Sequence, residues 1–430
     1  MTVTVHHGDS RDVLKTLATA SIDSVVCDPP YALVSIGKRF GAENAAPSKA
    51  GKTGAYARAS AGFMGQKWDT GETAFDSEFW VEVLRVLKPG GHLIAFSATR
   101  TYHRLACAIE DAGFEMRDMI AWLYGSGFPK SHDVSKGIDK AAGAVREVVS
   151  QGDPVKRMIP GADQAKAGWE KADGREFIPT LTAPATPEAA QWDGWGTALK
   201  PALEPIVLAR KPLAGTVAAN VLTHGTGALN IDASRVCMTD DDAAKINRAT
   251  YRSSPASVAL GTFASEGRDK PMVAHVNGRW PANVIHDGSD EVTDAFPQTG
   301  PGYRSGETVG FTGGGRKSDR PAGGKVDDGG SAARFFYSAK ADAADRCGSK
   351  HPTVKPTDLM AYLCRLVTQP GGVVLDPFAG SGSTGMACLR EGFDCILIER
   401  EAQYVADIHH RIAHVSGTDA GLFAAAGAAA

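Results

Sequence analysis

The sequence lacks any long apolar run. Nowhere in its 430 residues does a stretch approach the roughly 18 uninterrupted apolar residues of a membrane-spanning helix. The first residues, MTVTVHHGDSRD, lack the basic flank and the apolar run of a signal peptide. Cysteine is scarce too: seven are scattered without a CxxC pair, which fits a reducing compartment better than a disulfide scaffold. We therefore expect a cytoplasmic protein with no membrane partner.

An excess of charge of one sign is also missing. The net charge is −3 at pH 7, so the chain as a whole shows no basic bias towards nucleic acid. A local basic face remains compatible with that total, because one glycine-rich region collects Arg304, Arg316, Lys317, Arg320, Lys325, Arg334 and Lys340. The histidines and cysteines have no metal-ligand spacing. We therefore predict no metal site.

What the sequence does contain is an alternation of strands and helices at both ends. The predicted strands include Val3–His6, Ser24–Cys27, His92–Phe96, Val373–Leu375 and Cys395–Ile398, and Asp12–Leu17 begins a predicted helix. Such alternation is typical of an α/β fold, doubly wound around a mostly parallel sheet. The middle differs, because residues 150–195 and 300–330 are rich in glycine, proline or small residues and are predicted to be loops. Between them, PALEPIVLARKP predicts one more strand.

The segment DPFAGSGSTG lies where a predicted strand gives way to a helix. Gly380 and Gly382 let the backbone approach a ligand, and the helix N-terminus offers free N–H groups to a carboxylate. Glu399, at the end of the next strand, is placed to bond the hydroxyls of a ribose. The turn lacks the GK[ST] of a triphosphate site, so a ligand with a ribose and a carboxylate, such as S-adenosylmethionine, fits better. A plain packing turn is the alternative.

The segment DPPY, Asp28-Pro29-Pro30-Tyr31, follows another apolar strand. The amino nitrogen of adenine or cytosine is a poor nucleophile, because its lone pair is delocalised into the ring. The Asp28 carboxylate and the Pro29 carbonyl could accept both amino hydrogens and free that lone pair for attack on a methyl sulfonium. Tyr31 offers a ring on which an extruded base can stack. A proline-terminated surface turn is the alternative.

Together with HPTVKP, these segments resemble the β-group of amino DNA methyltransferases, in which DPPY precedes the recognition region and the glycine motif follows it. The resemblance implies a circularly permuted, Rossmann-like sheet of seven strands, with the two motif strands as neighbours. It implies a cofactor site of Asp9, Thr353, Lys355, Asp376, Phe378, Ala379, Gly380, Ser381, Gly382 and Glu399. Asp9 would lie near the adenine of the cofactor, and Thr353 and Lys355 near its methionine carboxylate.

The same resemblance divides the chain. Residues 1–135 would form the catalytic half of the core, 136–340 the target-recognition region, 341–415 the cofactor half and 416–430 a low-complexity tail. The residues predicted to contact DNA are Lys130, Arg316, Lys317, Arg320, Arg334 and Lys340. Solvated surface charge explains these basic residues equally well.

These observations predict an enzyme that transfers a methyl group from S-adenosylmethionine to N6 of a flipped-out adenine in double-stranded DNA. The first residue of the tetrapeptide favours adenine, because SPPY is the commoner form among relatives that modify N4 of cytosine. N4-cytosine methylation remains the alternative. Less favoured are an enzyme that methylates protein glutamine or RNA, whose tetrapeptide is usually NPPY, and a DNA-binding regulator without catalysis. The resemblance also suggests a homodimer.

Overall fold

The computed structural model describes most of the chain at its two ends and parts of its middle. The described residues are 1–31, 73–127, 131–153, 155–156, 176–248, 250–251, 270–271, 273–299, 330–339, 343–347, 349, 351 and 353–415. They fall into two compact units. The larger comprises Met1–Gly125 and Leu203–Ala430, and the smaller comprises Ser126–Ala202. Within the described residues, no helix combines the length and apolarity needed to cross a membrane.

Strands and helices alternate through much of the larger unit. The strands are β1 (Val3–His7), β2 (Ile22–Cys27), β3 (Leu87–Phe96), β4 (Glu115–Leu123), β5 (Val148–Gln151), β6 (Val155–Lys156), β7 (Glu176–Phe177), β8 (Thr180–Thr182), β9 (Leu203–Arg210), β10 (Thr250–Tyr251), β11 (Lys270–Pro271), β12 (Val284–His286), β13 (Gln298–Thr299), β14 (Gly330–Ser331), β15 (Tyr337–Ser338), β16 (Val373–Asp376) and β17 (Asp394–Glu399). The helices are α1 (Ser10–Thr16), α2 (Ser77–Val86), α3 (Tyr102–Asp111), α4 (Val134–Ala142), α5 (Pro187–Gln191), α6 (Val217–His224), α7 (Asp240–Arg248), α8 (Asp290–Thr293), α9 (Thr357–Val367), α10 (Ser383–Glu391) and α11 (Ala402–Val415). Short 3₁₀ turns lie at Asp232–Ser234, Ala332–Phe335 and Ala343–Arg346.

One large sheet organises the larger unit. Its strand order is β1-β17-β16-β2-β3-β9-β4-β12-β15, and of these described strands only β9 runs antiparallel to its neighbours. The prediction of a doubly wound, mostly parallel α/β fold is confirmed. The resemblance implied seven strands, and that number was wrong: the described sheet has nine, because the short β12 and β15 pair in turn beyond β4.

Helices cover both faces of this sheet because the strands are apolar on both sides. All six residues of β2 are buried. Val26 packs into the layer that contains α9, whereas Val25 and Cys27 pack into the layer that contains α2. A strand buried on both faces is expected to read as a continuous apolar run, as SVVC does.

The Pro-Gly-Gly segment before the predicted strand His92–Phe96 is not a separate turn. It lies inside β3 as a large irregularity: Ile22 of β2 pairs with Leu87, whereas Ser24 already pairs with His92. Gly90 has a left-handed backbone there, with φ of 79°. A Cβ at Gly90 would lie 2.4 Å from the Asn220 side chain, so glycine is required at this position.

The smaller unit has its own polar centre. The buried Asp139 carboxylate, on α4, accepts hydrogen bonds from Arg146 at 2.6 Å and from the Thr186 hydroxyl at 2.7 Å. These bonds join α4 to the start of α5. The prediction of a loop over residues 150–195 was wrong for part of its described portion, which includes β8 and α5. The predicted loop over 300–330 lies almost wholly outside the described residues.

Candidate active site

The two sequence motifs lie side by side at the carboxyl ends of two neighbouring strands. Val374 of β16 pairs with Ser24 of β2, and Leu375 pairs with Val25, in parallel. DPPY therefore follows one strand and DPFAGSGSTG follows its immediate neighbour. The predicted adjacency of these strands is confirmed. Ligands of open α/β sheets bind beyond the carboxyl ends of such strands.

The glycine-rich turn is held in a conformation that two of its residues require. Gly380 and Gly382 have φ values of 52° and 78°, in the left-handed region that glycine adopts without strain. A Cβ at Gly382 would lie 3.0 Å from Ile408 Cγ1. The backbone N–H of Ala379 donates to the carbonyl of Ile398 at 3.0 Å, which joins the turn to the end of β17. The turn thus packs directly on the neighbouring strand and on α11.

Glu399 ends β17 beside this turn. Its Oε2 accepts a hydrogen bond from the Gly380 backbone N–H at 2.8 Å, and its Oε1 accepts one from Glu401 at 2.7 Å. Burial raises the pKa of the Glu399 carboxyl above its usual value, although the two backbone hydrogen bonds oppose that effect. Its backbone carbonyl accepts from Gly8, so Asp9 follows at the adjacent strand end. The Asp9 carboxylate itself caps α1.

Asp376 is buried where β16 ends. Its Oδ1 accepts a hydrogen bond from the Phe378 backbone N–H at 2.9 Å, and its Oδ2 accepts one from the Thr384 hydroxyl. Burial raises the pKa of Asp376 to about 7, the two hydrogen bonds lower it, and the negative charges of Asp28 and Glu399 raise it further. Because both oxygens are engaged within the turn, Asp376 fixes its shape.

Phe378 and Ser381, also predicted to line the cofactor site, pack inward. The Phe378 ring lies 5.1 Å from that of Phe79 and 6.3 Å from that of Trp80, measured between centroids. Ser381 is buried, and its carbonyl accepts a hydrogen bond from the guanidinium of Arg411 on α11. Arg411 is fully buried, and sequence reasoning missed it because nothing in the pattern of the last helix separates it from a surface arginine.

HPTVKP approaches the same turn. The His351 ring is buried edge-on against the ring of Tyr404, with 4.4 Å between centroids. Its Nδ1 lies 2.8 Å from the carbonyl oxygen of Thr353, and burial lowers the pKa of His351 below its usual value. A Cβ at Gly380 would lie 3.2 Å from His351 Nε2. Thr353 itself is exposed.

Lys355 has partners different from the cofactor carboxylate predicted for it. Its Nζ lies 2.8 Å from Glu204 Oε2, 2.9 Å from the Tyr31 hydroxyl and 3.1 Å from Asp28 Oδ2. The Tyr31 hydroxyl in turn donates to Glu204 Oε2 at 2.9 Å. The ammonium group also lies 4.7 Å from the centroid of the Phe96 ring. Asp28, Tyr31, Glu204 and Lys355 therefore form one connected polar cluster.

Burial and charge fix the protonation of this cluster. Burial alone would lower the pKa of Lys355, but the carboxylates of Asp28 and Glu204 outweigh it and raise that pKa above its usual value. Burial, reinforced by the same two carboxylates, raises the pKa of Tyr31 well above its usual value. The lysine is therefore charged and the phenol neutral across the ordinary pH range.

The two oxygens of Asp28 differ. Oδ2 faces Lys355, whereas Oδ1 is buried and has no hydrogen-bond partner among the described residues. Pro29 and Pro30 follow Asp28 directly, and the carbonyl of Tyr31 accepts a hydrogen bond from the Thr101 hydroxyl at 3.1 Å. The DPPY segment is thereby anchored at both ends. Across the described residues, no three His, Cys, Asp or Glu side chains group as metal ligands would.

The sequence that forms this site matches a known protein family. The N6/N4 methyltransferase family model, described as DNA methylase, matches residues 22–410, which include both motifs and the strands that carry them. The chain belongs to this DNA methylase family. S-adenosylmethionine is the methyl donor of the family.

Two relatives of the methylase match over short segments. The Escherichia coli (strain K12) protein YubD is 46% identical over 65 residues, which are 15% of this chain and 29% of YubD. The type II methyltransferase M2.DpnII of Streptococcus pneumoniae is 37% identical over 68 residues, 16% of this chain and 25% of that protein. The matched segments thus span less than a third of either relative.

Solved structures align with the chain over most of its length, with low identities and TM-scores. The M1.HpyAVI–SAM complex covers 95% of this chain and 98% of its own, with 14% identity and a TM-score of 0.37. The PvuII DNA methyltransferase (cytosine-N4-specific) covers 97% and 91%, with 13% identity and a TM-score of 0.40.

Most of the DNA contacts predicted for the methylase lie outside the described residues, namely Lys130, Arg316, Lys317, Arg320 and Lys340. Arg334 is described. Its Nε lies 3.7 Å from Asp242 Oδ1, and its guanidinium lies over the Phe335 ring at 4.3 Å. Arg334 is thus held by neighbours within the larger unit, and its contact with DNA stays a prediction.

Proposed function

We propose that this methylase transfers a methyl group from S-adenosylmethionine to N6 of adenine in double-stranded DNA, after the base has flipped out of the helix. The observation that carries the proposal is that Oδ1 of Asp28 is buried and has no hydrogen-bond partner among the described residues. Asp28 follows the carboxyl end of β2, beside β16, the strand that leads into the glycine-rich turn. Leaving a buried acceptor without a partner costs about 1–3 kcal/mol. The amino group of an extruded base is a donor that offsets this cost.

The residues after Asp28 supply the rest of the base site. The Pro29 carbonyl is the second acceptor, and Pro30 restricts the chain so that this carbonyl keeps its direction. With both amino hydrogens accepted, the lone pair of the nitrogen turns away from the ring and becomes nucleophilic. The hydroxyl of Tyr31 is bound to Glu204, so its ring is held in one orientation for stacking on the base.

The glycine-rich turn fits the cofactor. Gly380 and Gly382 have no side chains, so a ligand beyond the carboxyl end of β16 can approach the backbone closely. Helix α10 begins there, and its first N–H groups attract a carboxylate. Glu399 lies at the end of β17 with lone pairs to spare for ribose hydroxyls. When bound, S-adenosylmethionine supplies a methyl group on a sulfonium. Asp376, Phe378, Ala379 and Ser381 hold the turn in shape, and Asp9 and Thr353 are proposed to border the adenine and the methionine ends.

Adenine is favoured over cytosine on chemical grounds. Both bases present the same amino group, so Asp28 and Pro29 could serve either. A carboxylate is a stronger acceptor than a serine hydroxyl, which suits the weakly basic amino nitrogen of adenine. N4-cytosine methylation is the second candidate, and it leaves the rest of the mechanism unchanged.

Three further proposals concern the partners and location of the methylase. Residues 136–340, including the smaller unit, are proposed to recognise the DNA sequence. A homodimer is proposed from the family resemblance alone, and a cytoplasmic location from the scattered cysteines without a CxxC pair. Sedimentation of the purified protein tests the dimer.

Product analysis tests the reaction. Purified protein is incubated with mixed-sequence duplex DNA and the cofactor, and the nucleosides are analysed by mass spectrometry. We expect N6-methyldeoxyadenosine; N4-methyldeoxycytidine as the sole product would replace adenine by cytosine, and no methylated nucleoside would favour a silent regulator.

A variant pair then tests the role of Asp28. Asp28→Ala should abolish methylation while cofactor affinity measured by calorimetry stays within about twofold. Asp12→Ala, which changes an exposed carboxylate of α1, should retain both. Loss of cofactor binding together with activity in Asp28→Ala would assign Asp28 to the cofactor instead.

A further inference from the structure

The cluster around Lys355 distributes its hydrogens unevenly between two carboxylates. An ammonium group has three N–H donors, and the nearest acceptors of Lys355 are also three: Glu204, the Tyr31 hydroxyl and Asp28. Because Lys355 donates to the Tyr31 oxygen, the single hydrogen of that phenol must leave in another direction. It goes to Glu204 Oε2. Glu204 thus receives two donors and Asp28 receives one.

We propose that Glu204 is a positioning residue that accepts the hydrogen of Tyr31 and one hydrogen of Lys355, so that only Oδ2 of Asp28 is engaged by Lys355 and Oδ1 stays free to accept from the target amino group. The inference rests on the catalytic role proposed for Asp28. Without Glu204, Asp28 would be the only carboxylate in this cluster. The phenol hydrogen and the lysine would then turn to it and occupy the oxygen that the base requires.

The position of Glu204 in the fold supports this role. It stands near the start of β9, the one antiparallel strand of the large sheet, and pairs with Trp122 of β4. Pro205 follows it and Ile206 is buried, so the backbone beneath the carboxylate is fixed. The Lys355 side chain that it holds is only 9% exposed, so water has little opportunity to replace the lost acceptor.

The test compares single-turnover methylation rates at saturating cofactor and DNA, where binding no longer limits the rate. Glu204→Ala should lower the rate by about ten- to a hundredfold. Tyr31→Phe alone should lower the rate less than Glu204→Ala does, because it keeps the stacking ring and removes the phenol hydrogen that goes to Glu204. The double variant Glu204→Ala/Tyr31→Phe should recover at least about threefold over Glu204→Ala, since one competitor for Asp28 is gone. A purely structural role for Glu204 predicts no such rescue.

Two further variants serve as controls. Glu115→Ala breaks the ion pair with Arg210 at the other end of the same strand pair, and its rate should match the wild type. Glu204→Gln keeps the side-chain shape and one acceptor oxygen, and it should show a smaller loss that Tyr31→Phe again relieves. It also serves if Glu204→Ala fails to give a cooperative unfolding transition.

Two outcomes would overturn the role of Glu204. One is a rate within about twofold of wild type for Glu204→Ala and Glu204→Gln. The other is a double variant whose loss is the product of the two single losses. Asp28→Ala separates this inference from the proposed function. If Asp28→Ala stays active, both the catalytic role of Asp28 and the positioning role of Glu204 are overturned. If Asp28→Ala is inactive while Glu204→Ala is active, only the positioning role is overturned.

Discussion

At the scale of single residues, Asp376 makes the stability of the glycine-rich turn depend on pH. Its pKa of about 7 in the folded protein exceeds the roughly 3.9 of an unfolded aspartate, mainly through burial. Between these values the folded state binds more protons than the unfolded state. The contribution of Asp376 to stability is therefore fully present below about pH 4 and is lost as the pH rises through about 7.

Asp376→Asn removes this titration. The free energy of unfolding of the variant, relative to wild type, should rise between about pH 4 and about pH 7, by ~1.4 kcal/mol for each pH unit, and level off above that range. Urea denaturation of the cofactor-free proteins measures it. Asp12→Asn, at an exposed site, should follow the wild-type profile. Parallel profiles for Asp376→Asn and wild type would show that Asp376 is ionised throughout.

The positions of the two motifs in the fold were predictable, because each lies within one short segment. DPPY and the glycine-rich turn can each be recognised from a few consecutive residues. The apolar runs before them show which strands they follow. Glu204 was visible in the sequence only as an acid before an apolar strand. Its role depends on Tyr31 and Lys355, which reach it from distant parts of the chain, so no local pattern could have identified it.

At the scale of elements, the turn between β16 and α10 is constrained by sterics as well as by backbone conformation. Gly382 and Gly371 both have left-handed φ values, 78° and 73°. A Cβ at Gly382 would meet Ile408 at 3.0 Å, whereas one at Gly371 would meet nothing within 4 Å. The two glycines therefore form a matched pair that differs mainly in available space.

Alanine at each position separates strain from crowding. Gly371→Ala should cost about 1 kcal/mol of unfolding free energy, from the unfavourable φ alone. Gly382→Ala should cost about 1–3 kcal/mol more, because Ile408 must move, and it should also weaken cofactor binding. Denaturant unfolding and calorimetry measure the two effects. Equal losses of unfolding free energy in the two variants would mean that Ile408 on α11 moves aside for the new methyl group without a cost in stability.

Elements were predictable to within a few residues where apolar runs are long, as in β2 and β17. The irregularity inside β3 was not, because its extent is set by the register with β2. Two- and three-residue strands such as β15 and β12 carry no periodicity of their own, and β12 exists because it pairs with β4. Pairing between distant segments decided these features.

At the scale of the whole molecule, the smaller unit is an insertion into a hairpin. Leu123 at the end of β4 pairs directly with Leu203 at the start of β9. Residues 126–202 leave the sheet and return to it between these partners. Three strands from the predicted recognition region 136–340, namely β9, β12 and β15, belong to the large sheet. The chain boundaries expected from sequence therefore do not coincide with the compact units.

Replacing residues 126–202 by an Asn-Gly turn should leave the sheet intact, because that dipeptide suits the short connection of an antiparallel hairpin. We expect cofactor affinity within about threefold of the full chain and loss of methylation at specific sites. Calorimetry and sequencing of methylated DNA measure these properties. Retained site-specific methylation would move the recognition role elsewhere in 203–340.

The pairing of β1 with β17 has a consequence for how the protein is made. Val3 pairs with Cys395, so β1 leaves the ribosome long before the strand with which it pairs. At roughly 5–20 residues per second, the delay is on the order of tens of seconds. For most of that time β2 lacks β16 beside it, and the glycine-rich turn does not yet exist. A chain that has not yet been synthesised through β17 therefore lacks Glu399 and the strand on which the glycine-rich turn packs, and both are required by the function proposed above.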